Sequence, residues 1–139
     1  MISSTIWVKF RVVMDVGYFC NRIIGFNFSK MDRIAKLKAF IDQYPADMFS
    51  RHALAMEFIK LQRYPEALEA MIALLAADEN HSGTYYHLGK LYEIINRQSE
   101  AILVYKKGMD IARKNGDMHA FSELQTVYNS ANGLNYEDD

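Results

Sequence analysis

The chain is short of most features that mark a specialised scaffold. It carries one cysteine, Cys20, among 139 residues, which excludes a disulfide framework and any multi-cysteine zinc site. A lone thiol fits a reducing compartment, so a cytoplasmic location is expected. Two prolines and seven glycines exclude collagen-like and linker-dominated chains. Charge of one sign is missing as well. The 16 basic and 17 acidic side chains leave a net of −1, which removes the strongly basic signature of a nucleic-acid binder. No run approaches the roughly 18 apolar residues that a membrane-crossing helix needs, because Lys9, Arg11, Asp15 and Arg22 interrupt the most apolar stretch. What is present is a chain 50% hydrophobic and 24% charged, enough for one domain or one short array around a buried core.

Catalytic signatures are absent too. The glycines, at 17, 25, 83, 89, 108, 116 and 133, are scattered and build no phosphate-binding loop. The histidines lie at 52, 81, 87 and 119, and none is four residues from another, so no helix offers a two-histidine zinc face. Glu66, Glu69, Glu100, Lys106, Lys107 and Arg113 read as a solvated outer face. No catalytic residue, cofactor or metal is expected, and the chain is not expected to be an enzyme.

Residues 1–30 differ in kind from the rest. Lys9, Arg11, Arg22 and Lys30 against Asp15 give them a net of +3, with −4 on residues 31–139. A signal peptide fits poorly, since the charges do not precede an unbroken apolar stretch with a small-residue cleavage site. Three readings fit. Met31 is the true start and the leader an upstream mis-start; or Val13, Val16, Cys20, Ile23 and Ile24 place a degenerate helix over 12–25; or the aromatic leader contacts a membrane surface or a partner.

The strongest signal is internal repetition. Sliding the chain by 34 residues aligns Leu54 with Leu88, Ala55 with Gly89, Phe58 with Tyr92, Ala67 with Ala101 and Met71 with Tyr105, preserving size and polarity. Leu54, Ala55, Phe58 and Leu61 share one helical face, as do Leu88, Gly89, Tyr92 and Ile95. Each is followed by a second apolar helix. Ala67, Leu68, Met71, Ile72 and Leu75 mark the first of these, and Ala101, Ile102, Tyr105 and Met109 the second.

This arrangement resembles the tetratricopeptide repeat, best in the second unit, where Tyr85, Leu88, Gly89, Tyr92, Ala101 and Tyr105 fall in the family's pattern. The first unit departs from it with Arg51 in the large apolar position and Ala55 for glycine. Gly108 and Leu74 stand where alanine is usual, and Glu79 and Arg113 where proline is frequent. The resemblance implies an all-α superhelix of antiparallel helix pairs. It has two full repeats, at about 48–81 and 82–115, and partial units at 31–47 and 118–133. A shift of 36, not 34, brings Phe121, Leu124 and Tyr128 into core positions. The same shift makes Asn115-Gly116 a helix end and Asp117 the next cap. Helices are expected over about 32–43, 48–61, 65–77, 82–95, 98–113 and 118–131, with a flexible tail over 134–139.

The resemblance also implies a function without chemistry: a protein-interaction module that binds a peptide or protein segment on its concave face, lined by the first helix of each unit. The candidate contact residues are Phe49, His52, Met56 and Ile59; Gly83, Tyr86, Lys90 and Glu93; and His119, Ser122, Thr126 and Asn129. Phe49, Met56 and Ile59 are surplus to the core in this register, and exposed apolar side chains in a concavity mark a contact site. Chaperone-type members grip a terminal carboxylate with lysine, asparagine and arginine. Here His52, Met56, Tyr86, His87 and Lys90 stand in that region, so an apolar or mixed segment is the expected partner. Two other roles remain open: self-association through unsatisfied array ends, giving a homo-oligomer, and service as a regulatory subunit.

Overall fold

The computed structural model describes residues 31–133. Among these residues there are six helices and no strand. They are α1 (31–43), α2 (Met48–Lys60), α3 (Tyr64–Ala77), α4 (Ser82–Ile94), α5 (Gln98–Asn115) and α6 (Met118–Ala131). The readings of the leader and the tail, 134–139, lie outside the described residues.

Local chemistry sets the helix ends. The Asp47 carboxylate accepts the Ser50 N–H at 3.0 Å and starts α2, and Asp117 accepts the Ala120 N–H at 3.0 Å and starts α6. Pro65 sits in the first turn of α3, where a missing N–H costs nothing. The turns inside the two repeats are copies 34 residues apart. Gln62 and Asn96 take left-handed φ angles of 58° and 60°. The following N–H groups, of Arg63 and Arg97, reach back to the carbonyls of Phe58 and Tyr92 at 2.9 and 2.8 Å, closing a Schellman motif. Each arginine then pairs with the glutamate three residues on, Glu66 or Glu100. Each also lies over an aromatic ring, Arg63 above Phe58 at 5.0 Å and Arg97 above Tyr92 at 4.9 Å. The same device ends α5, with Gly116 at φ 73°.

From α2 onward each helix packs against the next, and α4 also touches α6, so these two first helices of successive pairs lie side by side. Stability therefore comes from seams between neighbours. One seam holds Ile34 from α1 against Phe58, Ala67 and Leu91. A second joins Ala55, Met71, Leu74 and Leu88. The third gathers Tyr85, Ala101, Tyr105, Ala112, Ala120, Leu124 and Val127. Tyr85 and Tyr105 are fully buried, each removing on the order of 150–250 Å² from water. Loops are tied across the same seam: Ser82 Oγ donates to Asp117 at 3.2 Å, and Asn115 Nδ2 to the Asn80 carbonyl at 2.8 Å.

The 36-residue shift for the last unit holds. Leu124 is buried, with Phe121 and Tyr128 packed beside it, while Ser122, Glu123 and Thr126 are exposed. As expected, α5 ends at Asn115 with Gly116 as its left-handed cap; Arg113, unlike proline, keeps its N–H, so the helix runs on past it. The exposed positions of α6 include Ser122, Glu123, Gln125, Thr126 and Ser130.

Candidate functional site

The neighbouring first helices α2, α4 and α6 carry the candidate residues. Phe49, in the first turn of α2, is 83% exposed, because the register turns it away from both α1 and α3. Met56 and Ile59 differ from expectation. Both are half-buried against the Ala55–Met71–Leu88 seam, and Ile59 also reaches the Phe58 cluster. Their apolar area is already spent on the core, so of the three side chains read as surplus only Phe49 stands free.

The centre of the surface is a group of rings. His52 on α2 faces His87 on α4 at 5.0 Å between centroids, and His81, which precedes α4, at 6.4 Å. Tyr86 meets His87 edge-on at 5.4 Å and packs partly into the core below. Burial pushes the proton affinities of His52 and His87 below the ordinary imidazole value. The other imidazoles add to this, His87 and His81 acting on His52 and His81 on His87. Glu123 on α6 pulls His87 the opposite way. His81 Nδ1 and the buried Thr84 hydroxyl lie 2.8 Å apart, which fixes that ring.

Beside the rings opens a cleft of about 360 Å³, lined by Met48, Phe49, His52, Leu74, His81 and Thr84. Its origin is legible in the repeat. In the second unit Tyr85 packs so closely on Gly108 that a Cβ there would meet the Tyr85 Cβ at 2.6 Å. In the first unit the equivalent positions are Arg51 and Leu74. Arg51 turns outward, its Nε donating to the Pro45 carbonyl at 2.7 Å, and Leu74 is left lining the cleft.

The other candidates sit apart from the cleft. Lys90 and Glu93 pair with each other at 2.9 Å. Glu93 and burial together raise the Tyr105 phenol, whose hydroxyl makes no hydrogen bond. His119 is exposed and lies 3.5 Å from Glu123. Thr126 Oγ1 donates to the Ser122 carbonyl at 2.9 Å, so these two share one exposed turn. Gly83 and Asn129 are half-buried. The structure thus brings His52 and Tyr86 together around His87, and leaves His119, Ser122 and Thr126 as a separate polar strip.

Sequence reasoning missed Met48, Leu74, His81 and Thr84. A signal existed for two of them. The 34-residue shift places His81 on Asp47 and Thr84 on Ser50, which puts both at the start of α4 beside the start of α2. Among the described residues, no group of three or more His, Cys, Asp or Glu is arranged to hold a metal ion, and no helix is long and apolar enough to cross a membrane.

The tetratricopeptide repeat family model matches residues 82–115, the unit with the fullest pattern. A tetratricopeptide repeat domain protein from Salinibacter ruber, in its solution structure, is 41% identical over 68% of this chain and 96% of its own length, with a TM-score of 0.62. A crystal structure of a tetratricopeptide repeat domain protein from the same organism is 43% identical over 63% of this chain and 99% of its own, with a TM-score of 0.59. The TPR2B domain of yeast Sti1, in a complex with pHsp70, is similar in fold. Its TM-score is 0.67 at 17% identity, over 76% of this chain and 87% of that one. No curated protein matches the chain significantly. With a 34-residue repeat, paired helices, matching turns and a 41% identical relative spanned almost end to end, this chain belongs to the tetratricopeptide repeat family.

Proposed function

We propose that this protein-interaction module works without catalysis by taking a segment of a protein partner along the surface of α2, α4 and α6. The observation that carries the reading is Phe49. A phenylalanine 83% exposed, beside a cleft with apolar walls, costs solvation unless something covers it. The family supplies the general role, and the yeast Sti1 domain, which shares the fold, is in complex with a protein partner. Tyr86, with its half-buried ring and solvent-facing edge, and Lys90 extend the same surface along α4. The pairing of Lys90 with Glu93 at 2.9 Å leaves little free positive charge for a carboxylate clamp, which favours an apolar or mixed segment.

The test is quantitative capture of partners from the source cell by the native chain and by two variants, Phe49→Ala and the double change Tyr86→Ala, Lys90→Ala. Loss of the same partner in both variants, with helicity unchanged, supports the surface. A partner held equally by all three sinks it. Self-association is the alternative reading, and sedimentation at high protein concentration separates the two: a monomer is the expected result.

A further inference from the structure

We propose that the cleft between the starts of α2 and α4 seats an aromatic side chain of the partner segment, and holds it only while the imidazoles around it are uncharged. This rests on the docking surface proposed above and names its anchor and its control.

The lining decides the class of occupant. Met48, Phe49 and Leu74 are apolar, the Thr84 hydroxyl is engaged with His81, and no lining residue carries a fixed charge. A charged side chain entering the cleft would find no counter-ion and would lose its hydration. A neutral one fits the uncharged walls. The walls are also rings: His52 and His81 line the cleft, tilted by 56°, and His52 in turn packs on His87 at 60°, with Phe49 at the mouth. An added aromatic ring extends this tilted ring packing in a way that an aliphatic side chain does not.

The same geometry makes the seat sensitive to protons. Imidazoles at 5.0 and 6.4 Å repel one another when charged, and covering them with a partner strips the water that would screen the repulsion. Of the groups facing them, α3 contributes only Leu74 to the cleft. Glu123 on α6 attracts a proton to His87, but His119 lies beside that carboxylate at 3.5 Å. Lys90 and Glu93, further along α4, are paired with each other. The sign follows. His52 and His87 hold protons less well in the fold than in the unfolded chain. Their contribution is therefore complete above the ordinary imidazole value of about 6.5 and is lost as the pH falls through their lower folded-state values. An apolar occupant lowers them further, so its binding weakens with acid in the same window.

The probe is N-acetyl-tryptophanamide, which is neutral throughout, titrated into the full chain labelled for NMR at about pH 7.5 and about pH 5.5. At the higher pH the amides of Phe49, His52 and Thr84 shift. At the lower pH the affinity falls about threefold or more. In His52→Phe, which keeps a ring in the wall, the ratio of the affinities measured at the two pH values falls toward one. The His52 and His87 ring resonances, followed in the unmodified chain, titrate below the ordinary value whether or not that variant folds. Equal affinity at both pH values, or ordinary titration of both histidines, overturns the proton control and leaves the docking surface standing. No shift at the higher pH overturns the aromatic seat, and the capture experiment with Tyr86 and Lys90 changed then decides separately whether the wider surface binds.

Discussion

The two full repeats, 48–81 and 82–115, solve one packing problem with different side chains. In the second, Gly89 lies under the Tyr105 ring, so close that any Cβ there would overlap the ring. In the first, Ala55 faces Met71, both fully buried. A flexible thioether bends around the extra methyl where a rigid ring cannot. The buried polar balance differs as well. Leu91 is fully buried, whereas its counterpart Glu57 is 3% exposed and is held by Arg33 at 3.3 Å and Lys60 at 2.9 Å. The second unit is thus an apolar, aromatic piece matched to its neighbours. The first trades part of that packing for an ion-pair link to α1 and for an open cleft. A repeat fold fixes how much space each position has and leaves open how the two sides of a seam divide it.

The sharpest way to break the comparison is to move one residue across it. Gly89→Ala, which gives the second unit the first unit's residue, should destabilise the chain by about 3 kcal/mol through overlap with Tyr105. Adding Tyr105→Met should recover part of that loss, because the thioether yields where the ring did not. Denaturant unfolding of both variants reads this coupling. A Gly89→Ala variant as stable as the native chain would mean that the ring is free to move.

The next effect is at Glu57. Glu57→Ala should cost about 2 kcal/mol by leaving a void and freeing α1, whereas Glu57→Leu, which copies Leu91, should fall within about 1 kcal/mol of the native chain. The same unfolding experiment, with α1 protection followed by hydrogen exchange, separates the two. A smaller effect is expected in the turns. Gln62→Gly should stabilise by about 1 kcal/mol, because a non-glycine residue at φ 58° bears the left-handed penalty. Asn96→Gly should gain less, since asparagine tolerates that region better. Smallest of all, Arg63→Ala and Arg97→Ala should each lower the melting temperature slightly and by a similar amount, because both ion pairs are solvent-exposed. A clear difference between those two values, read from melting curves, would show that the turns are not equivalent.

Most of the architecture was legible because the period is a property of the chain itself. Leu54 and Leu88, Phe58 and Tyr92, and Met71 and Tyr105 recur at 34 residues, and all six pack into the apolar seams. The insertion before α6 was readable for the same reason: only one shift put Leu124 rather than Glu123 inward. The surface was less legible. Periodicity places a residue on a face but does not say how far a neighbouring helix covers it, so Met56 and Ile59 read as surplus when both lean on the core. The histidine group was hidden more deeply. His52 and His87 are 35 residues apart on different helices, and a search within one helix finds no pair.

The amino-acid sequence by itself determined the helix pairs, their caps and the order in which they stack. These follow from the spacing of apolar side chains and from short-range backbone chemistry, which act along the chain. Only the tertiary structure decided that Phe49 stands clear, that Arg51 swings out to open a cleft over Leu74, and that three imidazoles, from α2, α4 and the turn before α4, meet beside it. Contacts of that kind depend on the separation and rotation of neighbouring helices, which are set by the summed packing of a whole seam.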